Sequence, residues 1–254
     1  MYFDTHAHLD DKAFDEDREN LLNTLKQTGV ELVIDPGCDL TSSRKAKSIA
    51  EENDFIYFAA GFHPQELKTC NCDTLEKTLM LTQNYKCIAV GEIGLDYYWD
   101  DSRKQEQQNI FHAQLSFAQE RDLPVIIHDR EAHGDCLEIV KQYPKLRGVF
   151  HCYSGSLEIA EELLKRGWYL GFDGPVTYKN ARKVQSVLHS CPIERILLET
   201  DSPYLSPVPM RGKRNDPGNL KYICGKIAEI KGREPDDMAA ITLENGRRLF
   251  NITS

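Results

Sequence analysis

His6 and His8 flank Ala7 in the stretch Phe3-Asp4-Thr5-His6-Ala7-His8-Leu9-Asp10. Side chains alternate faces along an extended strand, so these two imidazoles point the same way and converge on one point. Imidazole is a common ligand for zinc, manganese and iron, and two on one rigid strand restrict where such an ion can sit. Taken alone, the pair reads sooner as a half-buried strand with two hydrogen-bonded histidines. Further ligand-type residues at equivalent places decide between the two. They stand at the ends of later apolar runs: His63 after Gly61-Phe62, Glu92 after Cys87-Ile88-Ala89-Val90-Gly91, and His128 after Pro124-Val125-Ile126-Ile127. His151 follows Gly148-Val149-Phe150, and Asp201 closes Ile196-Leu197-Leu198-Glu199-Thr200.

The elements that position them alternate. After the first strand, Phe14 to Gly29 carries Leu21, Leu22 and Leu25 at helical spacing and ends on a glycine, the pattern of an amphipathic helix. Glu31 to Gly37 reads as a buried strand, Ser42 to Asn53 as a helix, and Phe55 to Pro64 as a strand. The alternation continues with a helix over Asp73 to Tyr85, a strand over Cys87 to Glu92, an aromatic loop (Tyr97, Tyr98, Trp99) and a long helix from Arg103 to Arg121. Strands over Pro124 to His128, Gly148 to His151, Trp168 to Phe172 and Ile196 to Asp201 are separated by helices near Cys136 to Gln142, Leu157 to Arg166 and Ala181 to His189. A Pro/Gly/Arg loop and two helices complete the chain. The short, near-continuous apolar runs are those that parallel strands buried on both faces require.

Eight such βα units in 254 residues imply an α/β chain folded as a closed (β/α)8 barrel, with a doubly wound open sheet as the runner-up. No low-complexity tract or linker divides the chain, so residues 1–254 read as one domain. In such a barrel the active site lies at the C-terminal strand ends. His6, His8, His63, Glu92, His128, His151 and Asp201 all fall there, whereas His112, His133 and His189 fall in helices or their margins. His63, before Pro64, either packs a turn or contacts a phosphate. The other four histidines and two carboxylates exceed what one tetrahedral ion needs and suit two ions sharing a bridging carboxylate, for which Glu92 is the candidate. Mixed nitrogen and oxygen ligation favours zinc or manganese, with magnesium allowed.

The chain is 41% hydrophobic and 28% charged, an ordinary globular composition, with a formal net charge of −9. That sign argues against non-specific coating of nucleic acid but not against an enzyme acting on it, because cations in a site neutralise substrate phosphates locally. The eight cysteines are scattered without a C-x-x-C pair and read as reduced thiols, and Cys70-Asn71-Cys72 as a chance pair in a loop. No charged-then-apolar leader precedes the first strand and no apolar run approaches a membrane span. The expectation is a cytoplasmic protein with no membrane contact and no obligate protein partner.

Phe3-Asp4-Thr5-His6-Ala7-His8-Leu9, Gly61-Phe62-His63-Pro64, Gly91-Glu92-Ile93-Gly94-Leu95-Asp96-Tyr97, His128-Asp129-Arg130, His151-Cys152-Tyr153-Ser154-Gly155 and Glu199-Thr200-Asp201-Ser202-Pro203-Tyr204-Leu205 resemble, in this order, the signatures of the TatD family of metal-dependent deoxyribonucleases, a branch of the amidohydrolase superfamily. The loop Pro209 to Pro217 resembles that family too, so the likeness runs from residue 3 to the C-terminus. The resemblance implies a (β/α)8 barrel, divalent metals and hydrolysis of DNA phosphodiester bonds, often from the 3′ end. It implies that His6, His8 and Asp201 hold one metal and His128 and His151 the other, with Glu92 between. It also puts Arg130 and Arg211 ahead of Lys213 and Arg214 as grips for substrate phosphate.

Such cations would lower the pKa of water for in-line attack on phosphorus, and Asp201 is placed to accept the proton. Asp96 and Asp129 are expected behind the ligands, orienting histidines or loops. Tyr97, Tyr98 and Trp99 form either a stacking platform for a base or a hydrophobic lid. Two other functions share the same machinery: a metal-dependent esterase or deacylase, acting for instance on an aminoacyl-tRNA or a lactone, and a non-catalytic metal-bound binding protein.

Overall fold

An apolar run covered on both faces has no side on which polar residues are tolerated, and this is how the eight runs pack. The computed structural model describes residues 1–99 and 101–253. Its strands are β1 (Tyr2–Asp4), β2 (Val30–Pro36), β3 (Ile56–Ala60), β4 (Cys87–Asp96), β5 (Val125–Arg130), β6 (Gly148–Phe150), β7 (Tyr169–Phe172) and β8 (Ile196–Leu198). The helices between them are α1 (Arg18–Leu25), α2 (Leu40–Glu52), α3 (Cys72–Met80), α4 (Lys104–Glu120), α5 (His133–Val140), α6 (Leu157–Lys165) and α7 (Arg182–Ser190), and α8 (Leu220–Lys231) and α9 (Pro235–Phe250) follow β8. All strands are parallel and lie side by side in chain order. The first and last meet through backbone bonds from Thr5 N to Leu198 O (3.0 Å), Asp201 N to His6 O (2.9 Å) and His8 N to Ser202 O (2.8 Å). This is the (β/α)8 barrel that the alternation predicts.

Two layers of side chains hold it. Outward residues such as Val33, Phe58, Val90, Ile127, Phe150, Leu170 and Leu198 are buried against the helices. Inward residues Phe3, Leu32, Ile34, Ala59, Ala89, Ile126, Val149, Tyr169 and Leu197 form a second cluster, joined by Leu243, Leu249 and Phe250 of α9. Truncating one of these, Ile126→Ala for example, is expected to cost about 2–5 kcal/mol, because apolar burial is forfeited and a cavity is left behind. A strand repeats every two residues, so the position two beyond an inward apolar residue faces the same interior nearer the barrel mouth. His128 stands so to Ile126, His151 to Val149, and Glu199 to Leu197.

Several boundaries differ from those expected. The first strand stops at Asp4 and the last at Leu198, because one buried carboxylate interrupts both ladders. Asp4 accepts from His6 N (3.3 Å), Thr200 N (3.0 Å) and Thr200 Oγ1 (2.6 Å), and those backbone groups leave the regular register. His6 and His8 therefore converge from a segment just past the strand, anchored by the Ala7–Ser202 bridge, and not from one continuous extended strand. The helix expected over Phe14 to Gly29 has its regular part at Arg18–Leu25, with short 3₁₀ turns at Lys12–Phe14 and Lys26–Thr28. β4 runs past Glu92 to Asp96, because Gly94 (φ +148°) allows β5 to approach. A Cβ there would lie 1.9 Å from the His128 carbonyl oxygen.

Candidate metal centre

The barrel mouth gathers the predicted ligands around Glu92, which is 3% exposed. Its Oε2 faces the first strand, 3.3 Å from His6 Nε2 and 3.6 Å from His8 Nε2. Its Oε1 faces the opposite way, 2.8 Å from His128 Nδ1, 3.1 Å from His151 Nε2 and 3.7 Å from His63 Nε2. Asp201 Oδ1 completes the first group, 3.8 Å from His6 Nε2 and 3.5 Å from His8 Nε2. Glu92 is off the two-residue parity of its strand because the β4–β5 register shifts between Val90 and Ile93. That shift swings it toward the axis, where its two oxygens divide between the two groups.

Electrostatics follow from this crowding. Burial alone would raise the Glu92 carboxyl, but His151, His6 and His63 and the hydrogen bond with His128 hold it well below the usual carboxylate range. Burial likewise opposes ionisation of Asp201, and His8, His151 and His6 outweigh it and lower its pKa. Burial and then His128 push His63 down to about 3, so this ring is neutral. Its Nδ1 accepts from the Gln65 amide (3.1 Å). The neutral ring's proton is then on Nε2, which makes His63 a donor toward the cavity and not a lone-pair ligand.

The donor atoms fit divalent cations. A tetrahedral shell at bond lengths of about 2.0–2.2 Å has ligand–ligand edges of roughly 3.3–3.6 Å. The His6 and His8 Nε2 atoms are 3.3 Å apart, and their four separations from Glu92 and Asp201 run from 3.3 to 3.8 Å. At this distance one ring can donate to the other, or the two lone pairs can share one ion, and the carboxylates around them suit the ion. The second group has the same mixed nitrogen and oxygen character, with His128 Nδ1 and His151 Nε2 at 2.8 and 3.1 Å from Glu92 Oε1. Behind it, His128 Nε2 lies 3.1 Å from Asp96 Oδ2, which also accepts from Gln65 Nε2 (2.7 Å). That is the orienting role expected of Asp96. Asp129 instead faces away, 2.9 Å from His133 Nδ1.

A cavity of about 670 Å³ opens over this cup, lined among others by His8, His63, Glu92, His128, His151, Asp201 and Arg130. Trp99 and Tyr204 form part of its rim, and the Arg130 guanidinium lies 4.2 Å from the Tyr98 ring centroid and 5.5 Å from that of Trp99. Tyr97 turns elsewhere, donating to Asp135 (2.8 Å). Arg211 and Arg214 do not line the cavity. Arg211 stacks on Tyr178 at 4.1 Å, and Arg214 forks onto Asp17 at 2.6 and 2.7 Å.

Sequence reasoning missed four residues. Asp10 and Cys38 line the cavity beside His8, and burial pushes the Cys38 thiol up to about 12, so it stays protonated. Asp35 is fully buried with both carboxyl oxygens unpartnered, and burial, then Asp10, raise it well above the usual range. Glu199, also fully buried, lies behind His6 and His151. Its signal was available, since Glu199 shares strand parity with Asp201.

Comparison with known proteins places the chain in a family. A sequence model of the family described as TatD related DNase matches residues 3–251. The chain is 42% identical to the "Uncharacterized metal-dependent hydrolase YabD" of Bacillus subtilis, over 99% of this chain and 100% of that protein. It is 33% identical to the "3'-5' ssDNA/RNA exonuclease TatD" of Erwinia tasmaniensis, over 98% and 100%. The crystal structure of the TatD homologue YJJV of Escherichia coli K12 superposes with a TM-score of 0.94 at 32% identity, covering 99% of this chain and 98% of that one. A match that spans nearly every residue, with relatives aligned end to end, makes this chain a member of the TatD-related DNase family of metal-dependent hydrolases.

Proposed function

We propose that the protein removes nucleotides from the 3′ ends of single-stranded DNA by hydrolysing phosphodiester bonds, with cations held by His6, His8 and Asp201 on one side of Glu92 and by His128 and His151 on the other. Bound there, two divalent zinc, manganese or magnesium ions would supply a water of lowered pKa and offset the charge of a phosphate. Asp201 takes the water's proton on a carboxylate oxygen, at the cup beside His6 and His8. His63 donates from Nε2 to a phosphate oxygen, and Arg130 pairs with a phosphate at the rim. Trp99 offers a ring face to a base.

The observation that carries the reading is the lining of the cavity. Arg130 is the one Lys or Arg among the described lining residues, and Asp10, Asp11, Asp39 and Glu66 share the wall. Such a wall repels a long polyanion laid across it and tolerates a strand end that reaches the cup with one or two phosphates. The description of the Erwinia relative as a 3'-5' ssDNA/RNA exonuclease supports the same reading. Eight cysteines, all unpaired, support a cytoplasmic setting. Among the described residues no helix is long and apolar enough to cross a membrane.

The test is hydrolysis of end-labelled single-stranded DNA, RNA and a panel of carboxyl esters, each with and without chelator. Stepwise shortening from the 3′ end that stops in EDTA is the expected result. Ester turnover with intact DNA would move the protein to the deacylase class.

A further inference from the structure

Glu199 sits on the far side of His6 and His151 from Glu92. The two imidazole rings stack with centroids 3.8 Å apart and planes within 15° of parallel, so their edges run side by side. Both Nε2 edges face Glu92. The opposite edges carry Nδ1 atoms that are buried and without a hydrogen-bond partner, at a place where every buried polar atom needs one. One nitrogen of each ring and a Glu199 carboxyl oxygen fall within 4.8 Å of one another, and His151 Nδ1 is 3.6 Å from Glu199 Oε2.

The carboxyl group is itself held. Oε2 accepts from the Cys152 amide (2.9 Å), Oε1 from Thr5 Oγ1 (3.4 Å), and the side chain is fully buried. Its cradle exists because β7 carries a glycine at this point. A Cβ on Gly171 would lie 2.1–2.2 Å from the Glu199 carboxyl atoms.

We propose that Glu199 is a positioning residue that accepts the Nδ1 protons of both His6 and His151, and so turns both Nε2 lone pairs toward the cup. The inference rests on the cation reading of that cup. A neutral imidazole has one N–H and one lone pair, and the partner of one nitrogen decides the state of the other. One carboxylate thus sets one ligand on each side of Glu92. A movement of a few tenths of an ångström brings His151 within hydrogen-bond distance.

Glu199→Gln keeps the shape but replaces one acceptor oxygen by a donor, so at most one ring keeps its partner. The expected result is zinc affinity weakened by about 10–100-fold in competition with a chromogenic chelator, the usual range for loss of a carboxylate behind a metal-bound histidine. Gly171→Ala, which leaves Glu199 in place but pushes its carboxyl group away, should weaken binding in the same direction. A second measurement needs no variant. Proton NMR of the zinc-loaded, ¹⁵N-histidine-labelled wild type should show two downfield, slowly exchanging imidazole N–H signals assigned to His6 and His151, and in Glu199→Gln at least one should move upfield and exchange faster. Zinc affinity unchanged within twofold in Glu199→Gln, or fast-exchanging Nδ1 protons in the wild type, would overturn the proposal while leaving the cup intact. Failure of the wild type itself to bind zinc would instead overturn the cation reading.

Discussion

The Nδ1 atom of His8 lies 3.1 Å from the backbone carbonyl oxygen of Pro36. A carbonyl only accepts, so this contact assigns the ring proton to Nδ1 and leaves the lone pair on Nε2, facing His6, Glu92 and Asp201. The end of β2 thereby prepares a ligand carried by the segment after β1. The protein as purified from supplemented medium is expected to carry about two divalent ions per chain by elemental analysis, and EDTA should abolish turnover. Full activity in EDTA with no bound metal would rule the reading out.

Asp201→Asn retains size and one oxygen but removes the proton acceptor. Turnover should fall by about 10²–10⁴, with substrate binding within a few-fold, because general-base help acts in the transition state. Steady-state kinetics on labelled single-stranded DNA measure this. A near-normal kcat would locate the base elsewhere.

His63 and His128 lie 4.2 Å apart by ring centroid, yet their hydrogen bonds give them different tasks. His63→Ala should leave metal content near that of the wild type and raise KM or lower kcat, whereas His128→Ala should lose metal. Equal loss of metal in both variants would make His63 a ligand.

The arginines separate in the same way. Arg130→Ala should weaken binding of single-stranded DNA to inactive protein and lower the slope of log affinity against log salt by about 0.7 for each phosphate that is no longer neutralised. Replacing Arg211 and Arg214 together should leave that slope unchanged, since neither lines the cavity. A lowered slope in the double variant would return the loop to the binding surface.

Asp96 gives a pH dependence. Burial would raise its carboxyl, but the hydrogen bonds from His128 and Gln65 hold it at about 2. An unfolded aspartate titrates near ~3.9, so the linked stability is present above that pH and is lost as pH falls from there toward 2. Urea midpoints of chelator-treated protein should therefore drop more steeply over this window in the wild type than in Asp96→Asn. Parallel curves would remove Asp96 from that linkage.

The part of the fold legible in the sequence is whatever follows from periodicity. Ile126, Val149 and Leu197 announce inward faces, and His128, His151 and Asp201 come two or four residues later on the same faces. Glu92 was legible only as the last residue of an apolar run, because its inward turn depends on a register shift against β5. The partners of Arg211 and Arg214 were not legible, because a cation's partner is set by neighbours distant in sequence: Tyr178 lies 33 residues away and Asp17 is 197 away. The early end of β1 was invisible for the same reason, since Asp4 reaches Thr200 only after the barrel has closed.

The joint between the first and last strands carries a consequence for synthesis. Nearly the whole barrel separates His6 and His8 from Asp201 in sequence, and Asp201 is held beside them by the Asp201 N to His6 O bond and the clasp of Asp4 on Thr200. During synthesis the donors that follow β1 therefore wait for β8 and Asp201 before the cup can close. Chains interrupted before β8 would lack Asp201 and its clasp, so the growing polypeptide never exposes a finished cup before the barrel can close.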